Sequence, residues 1–295
     1  MKVGFIGLGL MGSAMTANLL KGGHSVCGYD IAKRAVDALV ANGGTAAATP
    51  AEAAADAEIV FTMLPLSSHV ESTVMGPNGI GQVMKPGTLF VDCSTILPDV
   101  SLKIHKYLKE RGVHMLDCGV GRTSVYAVAG KLLFMVGGEA ADLETARPCL
   151  ECMGDTIVHC GAAGAGIGMK LVNNYMSVTL NVLTAEALLL CERMHIDRDT
   201  AIGILMGTPA GKGHFTTSYP QKAFKGDLTA AFGLGMANKD LGLAFEMANS
   251  LKVPLFTGAG ARQAYSVARA QGRDKQDWTA IYPALQQMAA LEEEK

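Results

Sequence analysis

The chain has 295 residues, 49% of them hydrophobic, which at roughly 100 to 200 residues per domain leaves room for two domains with full cores and excludes a disordered or fibrous protein. With 25 basic against 27 acidic residues and a formal net charge of -2, there is no sequence-wide field to draw nucleic acid or an anionic membrane. Glycine stands out, 35 residues against a usual share of about 7%, and without a collagen-like period it points to tight turns and close backbone approaches.

An uncharged run from Val3 to Leu20 follows Lys2, but regularly placed glycines and Asn18 set it apart from a signal peptide. The apolar run over residues 171–185 is too short for a membrane span and carries Asn173, Asn174 and Asn181, so a cytoplasmic protein is expected. Seven scattered cysteines, an odd number, fit reduced thiols. Cys149-x-x-Cys152 with His159 and Cys160 has the look of a metal cluster. A second Cys pair at zinc-ribbon spacing is missing, however, and the first lies in a helical pattern, so buried or idle thiols and no metal are expected.

In chain order, strands are expected at residues 2–6, 25–29, 58–64, 88–92, 113–118, 131–136 and 156–159, alternating with helical patterns, the signature of βαβ units and a mainly parallel sheet. Beyond Gly161 apolar residues recur at three and four instead. Helices are expected over 166–195, 199–206, 236–250, 258–271 and 275–290, making the second half all-helical. The glycine-rich stretch from Gly161 to Gly166 marks the boundary, giving domains 1–162 and 163–295, the second opening with a long interdomain helix. No repeat of solenoid length is present.

Gly7-x-Gly9-x-x-Gly12 directly follows the first strand and opens the helix of Leu10 and Met11, the context of a dinucleotide fingerprint. Gly7 permits the tight turn, Gly9 lets the backbone reach a pyrophosphate, and Gly12 lets helix and strand pack closely, while the helix N-terminus presents N–H groups to phosphate. Asp30 ends the second strand, where a carboxylate accepts hydrogen bonds from ribose hydroxyls and repels a 2′-phosphate; this favours NAD (NADH) over NADP, against the pull of Lys33 and Arg34 nearby. The alternative is three glycines that only turn the chain and an Asp30 that caps the next helix. The fold class is thus an α/β Rossmann-type dinucleotide-binding domain followed by an all-α domain. Met63-Leu64-Pro65 and Asp92-Cys93-Ser94-Thr95 also lie at carboxyl ends of strands, where open α/β sheets bind ligands.

None of the seven histidines sits in an obvious dehydrogenase arrangement with a carboxylate, so Lys170 is the candidate proton donor. It falls in the first turns of the long helix with Asn173 and Asn174 three and four residues on, which puts the amine and at least one carboxamide on one face of an apolar segment. The alternative is a lysine reaching to solvent. A phosphate-loop reading of Gly207, Gly211, Lys212 and Gly213 fails on spacing and lacks the Ser/Thr for magnesium; that stretch is expected to be an interhelical loop over the active site.

These segments, with Gly164-Ala165-Gly166-Ile167-Gly168-Met169-Lys170-Leu171-Val172-Asn173-Asn174 and Asn238-Lys239-Asp240-Leu241, resemble the β-hydroxyacid dehydrogenase family over nearly the whole chain. The resemblance implies that Lys170 is catalytic, Asn174 its substrate-binding neighbour, Leu64 and Thr95 contacts near the nicotinamide ribose, and Lys239 a helical-domain residue facing cofactor and substrate. One departure is plain: where the family pattern reads Asp-x-Pro-Val-Ser-Gly-Gly, this chain has Asp117-Cys118-Gly119-Val120-Gly121-Arg122-Thr123. The planar fork of Arg122, with Thr123 and Ser124 as hydroxyl donors, suits an anion with three acceptor oxygens such as a sulfonate; a surface salt bridge is the alternative. Together with Asn173-Asn174-Tyr175-Met176-Ser177, the segment Gly211 to Ser218 and Gln276-Asp277-Trp278, it is similar to members of the family that reduce a sulfonated aldehyde with NADH, which implies a substrate pocket lined by Arg122, Thr123 and residues Asn173, Asn174, Tyr175, Met176 and Ser177. The expected partner is a small anionic aldehyde or hydroxy-sulfonate, in a homodimer or homotetramer. The competing expectations are a carboxylate semialdehyde as substrate, or a non-catalytic NAD-binding sensor.

Overall fold

The computed structural model describes residues 1–214 and 217–289, so Phe215 and Thr216 of the expected active-site loop, and Ala290 at the end of the last expected helix, lie outside the described residues. The first 161 residues alternate strand and helix: β1 (Lys2–Ile6), α1 (Leu10–Lys21), β2 (Ser25–Tyr29), α2 (Lys33–Ala41), β3 (Thr45–Ala46), α3 (Pro50–Ala54), β4 (Ile59–Thr62), α4 (Ser67–Met75), β5 (Leu89–Asp92), α5 (Pro98–Lys109), β6 (His114–Gly121), α6 (Ser124–Val128), β7 (Leu132–Gly137), α7 (Ala140–Met153) and β8 (Gly154–Gly161). They form one sheet in the order β3-β2-β1-β4-β5-β6-β7-β8. Every pairing is parallel except β6 with β7, which face each other from Asp117 opposite Gly137 to Gly121 opposite Leu133. A parallel return needs a crossover of a dozen or more residues, and only the ten residues 122–131 join these two strands.

Both faces of the sheet are covered, which is why its strands read as near-continuous apolar runs. Ile59, Phe61, Leu89, Val91, Leu116 and Cys118 point to one face, against Met15 and Leu19 of α1 and Leu143 and Leu150 of α7. Val60, Phe90 and Met115 point to the other, against Val70 and Val74 of α4 and Ile104 and Leu108 of α5. Each side chain buried there stabilises the fold by roughly 1.5 to 3 kcal/mol of transfer free energy.

The helices that follow are α8 (Ala165–Arg193), α9 (Arg198–Met206), α10 (Pro209–Lys212), α11 (Leu234–Leu251), α12 (Phe256–Ala270) and α13 (Ile281–Met288). The chain divides into two compact units, Met1–Tyr175 and Met176–Lys295, so the first turns of α8 belong to the first unit. In the second, Leu234, Ala268, Ala280 and Ala284 form a small core with Leu228, Tyr265 and Ile281. No helix among the described residues is long and apolar enough to cross a membrane.

Several expected bounds shift for identifiable reasons. β4 stops at Thr62: the Met63 N–H still bonds the Ile6 carbonyl at 2.9 Å, but the Leu64 N–H goes to the Ser94 hydroxyl and leaves the ladder, while β6 runs on to Gly121 through its pairing with β7. The two-residue β3 was not anticipated, since a strand that short carries no periodicity. The stretch 207–213 is not all loop: Thr208 accepts a hydrogen bond from the Ala210 N–H and starts the single turn of α10. The last helix begins later than residue 275. Buried Asp277 accepts from the Ala231, Phe232 and Thr279 N–H groups and the Thr279 hydroxyl, which starts a 3-10 turn at Trp278 before α13. Cys149 and Cys152 sit on α7, the first buried and the second donating to the Pro148 carbonyl, while His159 bonds the Gly138 carbonyl.

Candidate active site

The turn from β1 into α1 separates the roles of its three glycines. Gly7 has φ +96°, donates its N–H to the Tyr29 carbonyl at 2.9 Å, and would put a Cβ 2.3 Å from the Met63 carbonyl oxygen. A Cβ on Gly12 would meet the Gly7 carbonyl at 1.9 Å and Phe5 at 3.2 Å. These two are required by the protein's own packing. Gly9, the N-cap of α1, is different: a Cβ there meets nothing within 4 Å, and no side chain caps the helix. The missing methyl leaves open space in front of first-turn N–H groups, including those of Leu10 and Met11, a cradle of the kind a pyrophosphate fills.

Asp30 lies beside it, half-buried, with one oxygen accepting from the Leu8 N–H and the other from the Ala32 N–H, both at 2.7 Å. The N-cap of α2 is Ala32, so Asp30 is not that helix's cap. Each carboxylate oxygen keeps a lone pair for a ribose hydroxyl. Lys33 is turned onto Asp37 of its own helix at 2.7 Å.

The next two strand ends are joined by a buried carboxylate. Asp92, the last residue of β5, accepts from the Thr62 hydroxyl at 2.8 Å and the Ser94 N–H at 3.0 Å, and the Ser94 hydroxyl accepts from the Leu64 N–H at 2.9 Å. Burial pushes the Asp92 carboxyl up to about 6 against the lowering effect of these bonds. The network fixes the loop of Leu64 beside that of Thr95, whose side chain is exposed. Asp92 and Ser94 belong to the strand-end segment that the sequence points to, but their bonds to Thr62 and Leu64, thirty residues away, carry no local sequence signal.

Lys170 lies two turns into α8, half-buried. Its stem runs over Gly119 of β6: a Cβ on that glycine would stand 2.5 Å from the Lys170 Cβ and 3.2 Å from its Cγ. Burial holds the ammonium below the ordinary lysine value, and no neighbouring charge contributes. Asn174, half-buried, is one turn further on the same face. Asn173 and Tyr175 are exposed, and the Asn173 amide donates to the Asn174 oxygen at 3.4 Å.

Arg122 just beyond β6 has φ +71°, a left-handed conformation costing a non-glycine residue roughly 1 to 2 kcal/mol, at the place where the family pattern has glycine. Its guanidinium pairs with Asp155, the Lys131 carbonyl and the Thr156 hydroxyl. Three of its five N–H donors are engaged and two remain. Thr123 is the N-cap of the single-turn α6 and makes no side-chain cap bond there. The first unit thus carries Gly7, Gly9, Leu10, Met11, Gly12, Asp30, Leu64, Thr95, Arg122, Thr123, Lys170, Asn173, Asn174 and Tyr175, whereas Met176, Ser177 and Lys239, which lies on α11, belong to the second.

Comparison with known proteins bears on the family and the fold. Residues 2–161 match the family described as the NAD binding domain of 6-phosphogluconate dehydrogenase, and residues 164–285 match the family described as NAD-binding of NADP-dependent 3-hydroxyisobutyrate dehydrogenase. The chain is 46% identical over 289 residues to the 3-sulfolactaldehyde reductase of Escherichia coli K12, covering 98% of this chain and 97% of that protein. It is 34% identical over 291 residues to the mitochondrial 3-hydroxyisobutyrate dehydrogenase of Homo sapiens, covering 97% and 87%. Among solved structures, the 3-hydroxyisobutyrate dehydrogenase of Mycobacterium tuberculosis with L-serine superposes with a TM-score of 0.68 at 32% identity, covering 96% of this chain and 98% of that one.

Proposed function

Because the chain belongs to the 3-hydroxyisobutyrate dehydrogenase-like β-hydroxyacid dehydrogenases, NAD-dependent oxidoreductases, we propose that it reduces 3-sulfolactaldehyde to 2,3-dihydroxypropane-1-sulfonate with NADH. The observation that carries the substrate is the 46% identity to 3-sulfolactaldehyde reductase along essentially the full length of both chains.

NADH fits the residues present: the open cradle at Gly9 would take the pyrophosphate, Asp30 would hold the adenosine ribose, and Leu64 and Thr95 would flank the nicotinamide ribose. Bound there, it supplies a hydride to the aldehyde carbon. The protein's own share is the proton. As negative charge grows on the carbonyl oxygen, the Lys170 ammonium stabilises it and gives up a proton, a role worth about 10² to 10⁴-fold for a positioned acid. Burial lowers the cost of that transfer by easing the proton off the amine. Asn174, a turn away on the same helix, holds the hydroxyl geometry, with Asn173 and Tyr175 beside it. The two free N–H donors of Arg122 and the Thr123 hydroxyl take the anionic end.

A second reading has its own support. Two N–H donors match the two oxygens of a carboxylate as readily as two of a sulfonate, and Asp155 neutralises part of the arginine's charge, so a carboxylate semialdehyde is the rival substrate. The test is NADH consumption by the purified protein with 3-sulfolactaldehyde, beside tartronate semialdehyde and methylmalonate semialdehyde, repeated with NADPH. Steady turnover with NADH and much weaker turnover with NADPH supports the reading, while no turnover with any aldehyde favours a non-catalytic NAD-binding sensor.

A further inference from the structure

Lys170 reaches its place through the first turn of α8, and that turn is fixed from the sheet. Asp117, 3% exposed, sits on β6 two residues before the Gly119 that underlies the lysine stem, on the same face of the strand. One of its oxygens accepts from the Gly164 N–H at 2.6 Å and the other from the Ile167 N–H at 2.7 Å. A single carboxylate therefore satisfies two N–H groups at the start of a 29-residue helix, at the end where the peptide dipoles favour negative charge. The same junction is a backbone-on-backbone contact. A Cβ on Gly166 would lie 2.5 Å from the Met135 carbonyl oxygen and 2.6 Å from both the Asp117 carbonyl oxygen and the Gly137 nitrogen, and a Cβ on Gly137 would strike the Asp117 carboxylate and the Gly166 nitrogen at 2.6 Å. Ile167 completes the seat, 1% exposed in the core beneath the sheet.

We infer that Asp117 is the positioning residue of the reaction, clamping the first turn of α8 to β6 and β7 so that Lys170, one turn beyond Ile167, presents its ammonium at a fixed and partly desolvated point. This rests on the reading of Lys170 as proton donor. Asp117 acts through the helix and not as a charge on the amine, since burial alone shifts Lys170. The clamp lies among β6, β7 and α8, whereas the nucleotide cradle is built by β1, β2, β4 and β5. Loosening it therefore costs chemistry before it costs cofactor binding.

The experiment compares Asp117→Asn, Gly166→Ala and Lys170→Ala with the parent enzyme, measuring kcat, the NADH dissociation constant and the pH profile of kcat. An Asn oxygen can face only one of the two N–H groups and sets an N–H against the other, and the Gly166 methyl pries the same contact open from the helix side. Both variants should lose about 10- to 100-fold in kcat, the cost of misplacing a reacting group by about an ångström, with NADH affinity within about twofold of the parent. Their alkaline limb should move up in pH as water reaches Lys170. Parent-like kcat and pH limb in both variants, beside a crippled Lys170→Ala, would overturn the clamp while leaving the lysine's role intact. An active Lys170→Ala would overturn the lysine reading itself. Loss of NADH binding or of the fold in both junction variants would also overturn the clamp, because the junction would then hold the domain and not the lysine.

Discussion

Substitution of Gly9 by alanine separates what the β1 to α1 turn does for the fold from what it does for the cofactor. The Gly9 backbone, φ -64° and ψ -165°, is open to any L-residue, and the added methyl meets no protein atom within 4 Å. Alanine stiffens the unfolded chain, worth about 0.4 to 1 kcal/mol of stability, and is a poorer N-cap than glycine by a comparable amount, so the melting temperature should hardly move. In the proposed placement of NADH the methyl would stand where the pyrophosphate approaches α1. Displacing the phosphates from one charge-assisted N–H costs about 1.5 to 3 kcal/mol, which is roughly 10- to 100-fold in the NADH dissociation constant. Gly12→Ala is the counterpart: its Cβ would lie 1.9 Å from the Gly7 carbonyl oxygen, so the fold itself should lose several kcal/mol, of order 3 or more, as for other overpacked positions. Titration of NADH by fluorescence, with a thermal melt of each variant, reads both quantities. A Gly9→Ala protein that binds NADH as tightly as the parent would refute the placement of the pyrophosphate, and a strongly destabilised one would refute the claim that the space is empty of protein.

Lys170→Ala should lower kcat by about 10² to 10⁴-fold with little change in NADH binding, read by steady-state kinetics and fluorescence titration, because in the proposed mechanism the amine meets the reacting oxygen and not the phosphates. In the parent enzyme the alkaline limb of kcat should fall below the ordinary lysine value of 10.5, since burial lowers the pKa of the amine and the donor is spent once it deprotonates. Arg122→Ala should raise KM for anionic aldehydes and leave an uncharged aldehyde unaffected; a fall in melting temperature with unchanged KM would assign the arginine to its contacts with Asp155 and Thr156 alone. Asp92, raised to about 6, binds its proton more tightly folded than unfolded, so its contribution is favourable below pH 4 and is lost as pH rises through 6. Asp92→Asn should therefore flatten the stability profile over that window by up to about 3 kcal/mol, as read from denaturant unfolding at each pH.

The parts of the site made by residues close in sequence were legible beforehand. β1 and β2 fall where the apolar runs place them, the glycines stand at the β1 to α1 turn and Lys170 and Asn174 on the long helix as expected, and Asp30 lies one residue beyond the end of β2. What escaped is what depends on partners far along the chain. Asp117 meets Gly164 and Ile167 nearly fifty residues later, Asp92 meets Thr62 thirty residues earlier, and Arg122 meets Asp155 across the β7 and β8 edge; no local pattern encodes such pairings. Arg122 shows the cost most directly. Its residue type and its place in the family pattern point to a fork for an anion, with a surface salt bridge as the alternative; the ion pair with Asp155 is such a bridge, though the sequence names no partner for it, and with the left-handed backbone it makes Arg122 a brace of the sheet edge.

The measurement that bears most directly on the central claim is the ratio of kcat/KM with NADH for 3-sulfolactaldehyde to that for tartronate semialdehyde and methylmalonate semialdehyde, taken with one enzyme preparation. The account predicts a ratio well above one against both, of order 10-fold or more if the third acceptor oxygen of the sulfonate gains even one hydrogen bond in the transition state. A ratio below one would contradict it and assign the enzyme to a carboxylate semialdehyde.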